Sequence, residues 1–583
     1  MAATSSSVRE DNALIVPAWL QRICLPARMQ WLAPLLGFVL TVPALCMGYL
    51  LDDHFLRQSV LGSPVYRQRP SWDLFSFVSS QADVAYYRER GVLLAWWTPD
   101  TYRNHFFRPL ASLVHVLHFR FLDEAPWVMH LIEAALYALM IYLVARLLRR
   151  LSSSPVATGV GTLLFAVNDT HAFSSGIIWG ANTMLCTVLG LGALLLHHRW
   201  RRGELRGSLP LFCLAFVVSL LCSEGGLALM GYLLAYALLW EEGPLRRRLV
   251  SLVPGTLISV AYLAFYIIGQ YGVKSSGVYR SPADDPLGSL VAVVFKTTVL
   301  VGSQLVSFPP LNMALVATHA PGVMAGLALL VGVLFLSSRS VRSNRSLLFF
   351  GAAMVLSIVP FALGPLQDRL LLWSGLGAAG LLGELFAMPA AALPRLQRHV
   401  AQGLLFTNAA VSLLFYVPTL FMYGLVEKPS QRLADTIPAE DTVLFSAHWD
   451  VFSWYPPAIA TEKGRDWPQH FYYFYTGPEP LVVERTGERT FLAKVEQGWF
   501  VSPETERFTR TSQLPFTAGE RVDLELVTAT VEEVTDDGRP LRVRFDFKKD
   551  LSKFAWMKWA EQGPVRCELP PIGTTMRLQT RLF

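Results

Sequence analysis

Long apolar runs separated by short arginine-rich breaks fill the first three quarters of the chain, and short alternating runs fill the rest. A helix needs roughly 20 apolar residues to cross a bilayer, and Lys/Arg in short connections mark the cytoplasmic side. The first run, 29–51, follows Arg22 and Arg28, which puts the segment 1–28 in the cytoplasm. That run is too long for a signal-peptide core and lacks a small-residue cleavage site, so it reads as a retained anchor. The next clean run, 127–144, ends on Arg146, Arg149 and Arg150 and returns inside, leaving 52–126 as one large outer loop. Amphipathic pieces of such a loop lie along the membrane surface. Runs at 156–170, 176–196, 208–222, 226–240, 249–268, 320–336, 347–364, 370–388 and 401–424 continue the alternation. Counting 287–307 as a crossing would put the basic stretch "SSRSVRSNRS" outside, and Lys296 and Gln304 make it a poor lipid helix, so it is expected as an outer-surface or re-entrant helix. The pattern predicts a polytopic α-helical membrane protein of about eleven spans, N-terminus cytoplasmic and C-terminus extracytoplasmic.

The pattern changes near Glu427. "DTVLFSAHWDVF", "HFYYFYTG", "LVVERTGERTFLAKV" and "RVDLELVTATVEEVTDDGRPLRVRFDF" carry β-branched and aromatic residues in short alternating runs, with "ERTGERT" and "TDDGRP" as turns. Residues 428–583 are therefore expected to form an extracytoplasmic all-β domain, sandwich or barrel. It holds neither a nucleophile motif nor a metal cluster. The membrane part is accordingly 29–425.

Composition agrees with a membrane chain. Of 583 residues, 52% are hydrophobic and 16% charged, against about 25% charged in soluble proteins. The net charge of +6 comes from arginines clustered in short loops, which suits topology and not nucleic-acid binding. "HHRWRRGELR" is one such inner-face signal, and Trp96 and Trp97 read as an interfacial anchor. The six cysteines show no zinc spacing and no disulfide framework.

One stretch resists a purely topological reading. "CMGYLLDDHFLRQSV" ends the first apolar run on two adjacent acids, Asp52 and Asp53, with His54 behind them. Further segments follow in order: "FFRPLASLVHVL", "MHLIEAALYALMIYLVARLLRRL", "LLFAVNDTHAFSSGIIWGAN", "LCSEGG" and "QDRLLLWSGLG". Together they resemble the GT-C glycosyltransferases, and most of all the protein O-mannosyltransferase branch and its tetratricopeptide-tailed relatives, over roughly residues 30–390. "YLLDDHF" resembles the acidic pair closing the first span. His171 is what remains of a His-Pro-x-His segment, Glu224 of a Ser-Lys-Glu motif and Arg369 of a Glu-Arg-Tyr segment. The lysine, the proline-tyrosine pattern and the helical-repeat tail are missing from this sequence.

The resemblance implies a membrane glycosyltransferase of a bacterial-type plasma membrane, moving a sugar from a polyprenyl-phosphate donor to a glycan, lipid or protein hydroxyl at the outer face, with inversion. Such a reaction needs a carboxylate to take the hydroxyl proton and cations for the departing phosphate. Asp52 is the expected base and Asp53 its orienting neighbour. Crowding two acids raises one pKa. Arg369 and Arg108 offer planar forks for phosphate, while Glu224, His171 and His105 complete the expected substrate-binding set. No cofactor is required; a divalent cation is compatible with His54, His105, His115 and His118 beside the acids. Two other classes fit the membrane pattern: a flippase of lipid-linked sugars, which would spread charges through mid-membrane helices in two matching halves, and a non-catalytic scaffold whose β-domain binds a partner.

Overall fold

The computed structural model describes residues 13–282, 285–307, 320–447, 454–501, 506–561 and 563–579. It divides into two compact units: Met1–Tyr49, Phe107–Gln270 and Pro282–Tyr423 form the first, and Leu50–Phe106, Tyr271–Ser281 and Gly424–Phe583 the second.

The first unit is helical. Among the described residues of the chain, eight helices are long and apolar enough to cross a membrane, and four more apolar helices are shorter, so every expected run corresponds to a helix. Peripheral helices leave aliphatic side chains uncovered, with Leu257 65% and Ile267 74% exposed. Apolar surface on that scale needs an apolar solvent, and lipid supplies it. At the other extreme, the helix Leu372–Phe386 is buried on all sides. It packs against Pro155–Val167 through small residues, because a Cβ on Gly383 would sit 2.5 Å from the carbonyl oxygen of Ala157, and one on Gly161 would sit 2.6 Å from that of Ala379. Helices that meet without a hydrophobic driving force gain by such close backbone approach.

The basic connections gather at one end of this unit. Arg150 pairs with Glu204 (2.6 Å) and Arg201 with Glu241 (2.5 Å). Arg345 bonds the carbonyls of Leu239 and Glu241 and the carboxylate of Glu242, and Glu384 accepts from Ser153. These contacts establish that five connections share one side, as their arginines predict.

The helix Pro286–Val306 is long enough to cross, yet its polar bonds reach the opposite end. Ser303 donates to Asp368 (3.1 Å), Gln304 accepts from Ser374 (2.8 Å) and Ser307 donates to Asp169 (2.5 Å). Lys296 donates to the carbonyl of Gly364 (2.6 Å). The neighbouring helix Val253–Ile268 also leads away from the basic connections, and Ala320–Leu336 returns to them at Ser337, which Gln397 bonds. Pro286–Val306 thus bonds, through its C-terminal end, to residues at the end remote from the basic connections. Its lysine and glutamine are used inside the protein instead of facing lipid.

The second unit carries the strands: β1 (Ser76–Val78), β2 (Arg103–His105), β3 (Gly272–Lys274), β4 (Thr442–Ala447), β5 (Phe471–Thr476), β6 (Leu481–Arg485), β7 (Thr490–Val495), β8 (Arg521–Asp523), β9 (Val527–Val534), β10 (Pro540–Phe547), β11 (Ala555–Ala560), β12 (Gly563–Arg566) and β13 (Thr575–Leu578). They form three sheets, ordered β1-β2-β3, β13-β6-β7-β10-β9-β8 and β12-β11-β4-β5. The two turns read from the sequence are hairpins, β6/β7 and β9/β10, the second closing through Gly538 at φ +73°. The domain is strand-rich but not wholly β: β4 and β5 pair in parallel, which demands a crossover, and the helix Pro456–Glu462 lies in it. The residues 448–452 at the end of "DTVLFSAHWDVF" lie outside the described part.

The outer loop is not a separate piece, since 50–106 folds with the C-terminal part. Trp96 and Trp97 are 4% and 0% exposed and belong to the aromatic core of the second unit, with Trp96 Nε1 donating to the carbonyl of Phe474 (3.1 Å). They are core residues and not the interfacial anchor their position in the sequence suggested. A tryptophan pair between an apolar run and a polar one has the same sequence signature in both settings.

Candidate functional site

Arg108, Glu224 and Arg369 come together at the end of the first unit away from the basic connections. Arg108 precedes Pro109, which disfavours helix at the residue before it, so its side chain stands at the start of the helix Pro109–Phe121. Ser223 caps the turn that begins at Glu224, its hydroxyl accepting from Gly225 N (3.2 Å), and the two glycines break the apolar run there. The guanidinium and carboxylate meet as a two-pronged pair, Arg108 Nε to Glu224 Oε2 at 2.9 Å with the second bond from Nη2 to Oε1. The arginine side chain is 13% exposed and the glutamate 32%. Tyr262 and Tyr266 lie close enough to act electrostatically on Arg108.

Arg369 opens the segment Asp368–Leu371. Its guanidinium lies 5.0 Å from the ring centroid of Trp179 and is near enough to Glu224 to influence its charge. It forms no ion pair among the described residues. Glu224 is thus taken by Arg108, while the planar fork of Arg369 is engaged by no carboxylate among the described residues. That is a seat for an anion with several oxygens.

The acidic pair belongs to the second unit, at the start of the helix Asp52–Leu61. The two acids are not equivalent. Asp53 is 0% exposed and its Oδ2 accepts from Leu50 N (3.0 Å), tying down a backbone donor at the helix start. Asp52 is half-buried, with Tyr455 donating to its Oδ1 (2.8 Å). Just ahead of it, Leu51 has φ +55° and ψ −118°, a conformation that costs a non-glycine residue about 1–3 kcal/mol. Its N–H reaches Glu427 Oε1 at 2.6 Å.

His54 stands between two carboxylates, Nε2 at 3.1 Å from Glu427 and Nδ1 at 2.9 Å from Glu462, and Glu462 also pairs with Arg57 (3.2 Å). Burial alone would push the imidazole pKa down. The two acidic partners outweigh burial and raise it from 6.5 to about 10, so His54 is a cation at neutral pH. Glu427, Glu462 and Tyr455 were not found from the sequence. Glu427 marked the composition boundary, and an acid ending an apolar run was its only signal. Trp179 gave none, because no charged residue lies near it in the sequence.

The other sequence candidates lie elsewhere. His171 is fully buried in the first unit, Nδ1 at 3.2 Å from Tyr137 Oη and 3.1 Å from the carbonyl of Phe165. A Cβ on Gly375 would come within 2.5 Å of its Nε2. It is packed as a buried histidine, and its Nε2 has no hydrogen-bond partner among the described residues. His105 ends β2 in the second unit and packs on Tyr271, with ring centroids 4.8 Å apart. His115 and His118 share a face of the helix Pro109–Phe121 with ring centroids 6.0 Å apart. Among the described residues no three His, Cys, Asp or Glu side chains are arranged to hold a metal ion.

No protein-family model matches this chain, and no curated protein matches it either. Among solved structures it is similar to ArnT from Cupriavidus metallidurans, a crystal structure with undecaprenyl phosphate bound, at 14% identity over 74% of this chain and 84% of that one. The TM-score is 0.34, too low for the likeness to decide fold or activity here.

Proposed function

We propose that the protein is a membrane glycosyltransferase that moves a sugar from a polyprenyl-phosphate donor to an acceptor hydroxyl at the extracytoplasmic face. The observation that carries this reading is the unengaged Arg369 on Trp179, beside the Arg108–Glu224 pair, at the end of the helical unit remote from the basic connections. If those connections are cytoplasmic, as the positive-inside rule requires, that end is outside. A phosphate carried on a polyprenyl tail is held by lipid at the depth where a guanidinium at a helix end can meet it.

The chemistry follows from the residue types. The acceptor oxygen attacks the anomeric carbon opposite the bond to phosphate, that bond breaks, and the hydroxyl proton passes to Asp52. The leaving phosphate gains charge as the bond lengthens and is stabilised by Arg369, with Arg108 fixed by Glu224 as the second cation. A single displacement inverts the anomeric centre. Asp53, fully buried and engaged with the backbone, keeps the helix start in shape. No step calls for a cofactor.

Binding of polyprenyl phosphate to the protein in lipid nanodiscs tests the reading. Arg369→Ala should weaken it by about tenfold or more, the scale of one charged hydrogen-bonding group. Equal binding by the wild type and the variant would remove the phosphate seat and the reading with it.

A further inference from the structure

The half-buried Asp52 is gripped from two directions by residues that a purely structural helix start does not need. From the backbone side, Glu427 Oε1 accepts from Leu51 N (2.6 Å), the residue just before Asp52, and holds it at φ +55°. The same oxygen faces His54 Nε2 (3.1 Å), and its partner oxygen accepts from Gln431 (2.9 Å), so the carboxylate is fixed from three sides. From the side-chain side, Tyr455 donates to Asp52 Oδ1 (2.8 Å). Tyr455 precedes the helix Pro456–Glu462, whose last residue closes the group by facing His54 and Arg57. The helix has no capping side chain at its start, and Asp53 takes the N–H of Leu50 just ahead of it. The additional hold acts on the backbone of Leu51, the residue before Asp52, and on the carboxylate of Asp52 itself.

We infer that Glu427 and Tyr455 are positioning residues for Asp52, the first setting the backbone at Leu51 just ahead of it and the second orienting its carboxylate. This rests on the reading of Asp52 as the base. A general base must lie within hydrogen-bond reach of the proton it takes, and a misplacement on the order of 1 Å costs about 10²-fold in rate. The left-handed backbone at Leu51 is how the chain turns from the first apolar run into the helix with Asp52 at its first position. Glu427 is what keeps that turn from relaxing.

The test uses the full-length protein in lipid with a panel of polyprenyl-phosphate sugars. It compares wild type, Asp52→Asn, Tyr455→Phe, Glu427→Gln and Glu427→Ala. Tyr455→Phe should lower kcat by about tenfold with donor KM unchanged, since the hydroxyl donates to the base. Glu427→Ala should lower kcat by about 10²-fold, again with KM unchanged. Glu427→Gln, which keeps an oxygen for Leu51 N–H, should recover most of that loss. Amide hydrogen exchange across residues 48–56 should rise in Glu427→Ala and stay near wild type in Glu427→Gln. If Asp52→Asn abolishes transfer while both Glu427 variants and Tyr455→Phe keep the wild-type kcat, the positioning inference is wrong and the base assignment stands. If Asp52→Asn transfers at the wild-type rate, or the wild type transfers from no donor, the underlying reading fails and takes the inference with it. Equal losses in Glu427→Gln and Glu427→Ala, with exchange raised in both, would show a structural ion pair only and overturn the positioning role.

Discussion

His54→Gln removes the one cation that separates Glu427 from Glu462. In the folded chain the imidazole is 6% exposed and titrates near 10, against 6.5 when free. A group whose folded pKa is raised contributes stability that is complete below its unfolded pKa and is lost as pH climbs through the folded one. The contribution is therefore constant below pH 6.5, falls between there and about 10, and is gone above. At about 1.4 kcal/mol per pH unit, that interval of about 3.5 units corresponds to about 5 kcal/mol, in line with the roughly 3–5 kcal/mol lost when a buried pair is broken. Glu462 has the opposite sign. Burial raises its pKa, but the bond to His54 and the charges of His54 and Arg57 bring it below the usual 4.5, so its contribution is lost on acidification. Denaturant unfolding of wild type and His54→Gln in lipid, followed by tryptophan fluorescence, gives the gap in stability at each pH. The gap should be flat near pH 5.5–6.5, narrow steadily from 6.5, and close near 10. A gap that does not change between pH 6.5 and 10 would mean that His54 is neutral in the folded protein, and the charge assignment would be wrong.

Three further outcomes are expected. Asp53→Asn should lower the unfolding temperature more than it lowers turnover, because its carboxylate holds Leu50 N and not substrate; a stable variant with transfer lost would reverse the roles of the two acids. Arg369→Lys should weaken polyprenyl-phosphate binding despite keeping the charge, since a point charge replaces a planar fork; unchanged binding would show that charge alone suffices. Gly383→Leu should destabilise the helical unit by about 1–3 kcal/mol or more, seen as lower thermal stability in detergent, because even a Cβ would reach 2.5 Å from Ala157 O; normal stability would deny the close helix contact.

The helices were legible because their signal is thermodynamic and local. An apolar run of span length and an arginine at its end are each readable without knowing the neighbours, and Arg150, Arg201 and Arg345 indeed meet at one end. The two hairpins were legible for the same reason, through their Gly-containing turns. Arg108, Glu224 and Arg369 could be nominated one by one from the oddity of a charge beside an apolar run. Their meeting could not, since Arg108 and Glu224 are 116 residues apart. Trp96 and Trp97 misled because a buried aromatic and an interfacial one look alike until their neighbours are known. The packed setting of His171 beside Tyr137 could not be read either, since its polar type gives no sign of burial. The partners of His54 lie 373 and 408 residues away, and nothing in a local window announces them. The parallel pairing of β4 with β5 was missed because alternation reveals a strand but not the direction of its partner.

The central claim is sugar transfer with Asp52 as the base. Its most direct measurement is single-turnover release of polyprenyl phosphate by the full-length protein in lipid, with wild type and Asp52→Asn run against the same panel of polyprenyl-phosphate sugars. At least one donor should turn over with wild type, and Asp52→Asn should slow it by about 10²-fold or more while donor binding stays within about threefold. Wild-type release by Asp52→Asn, or no release from any donor by the intact protein, would contradict the account.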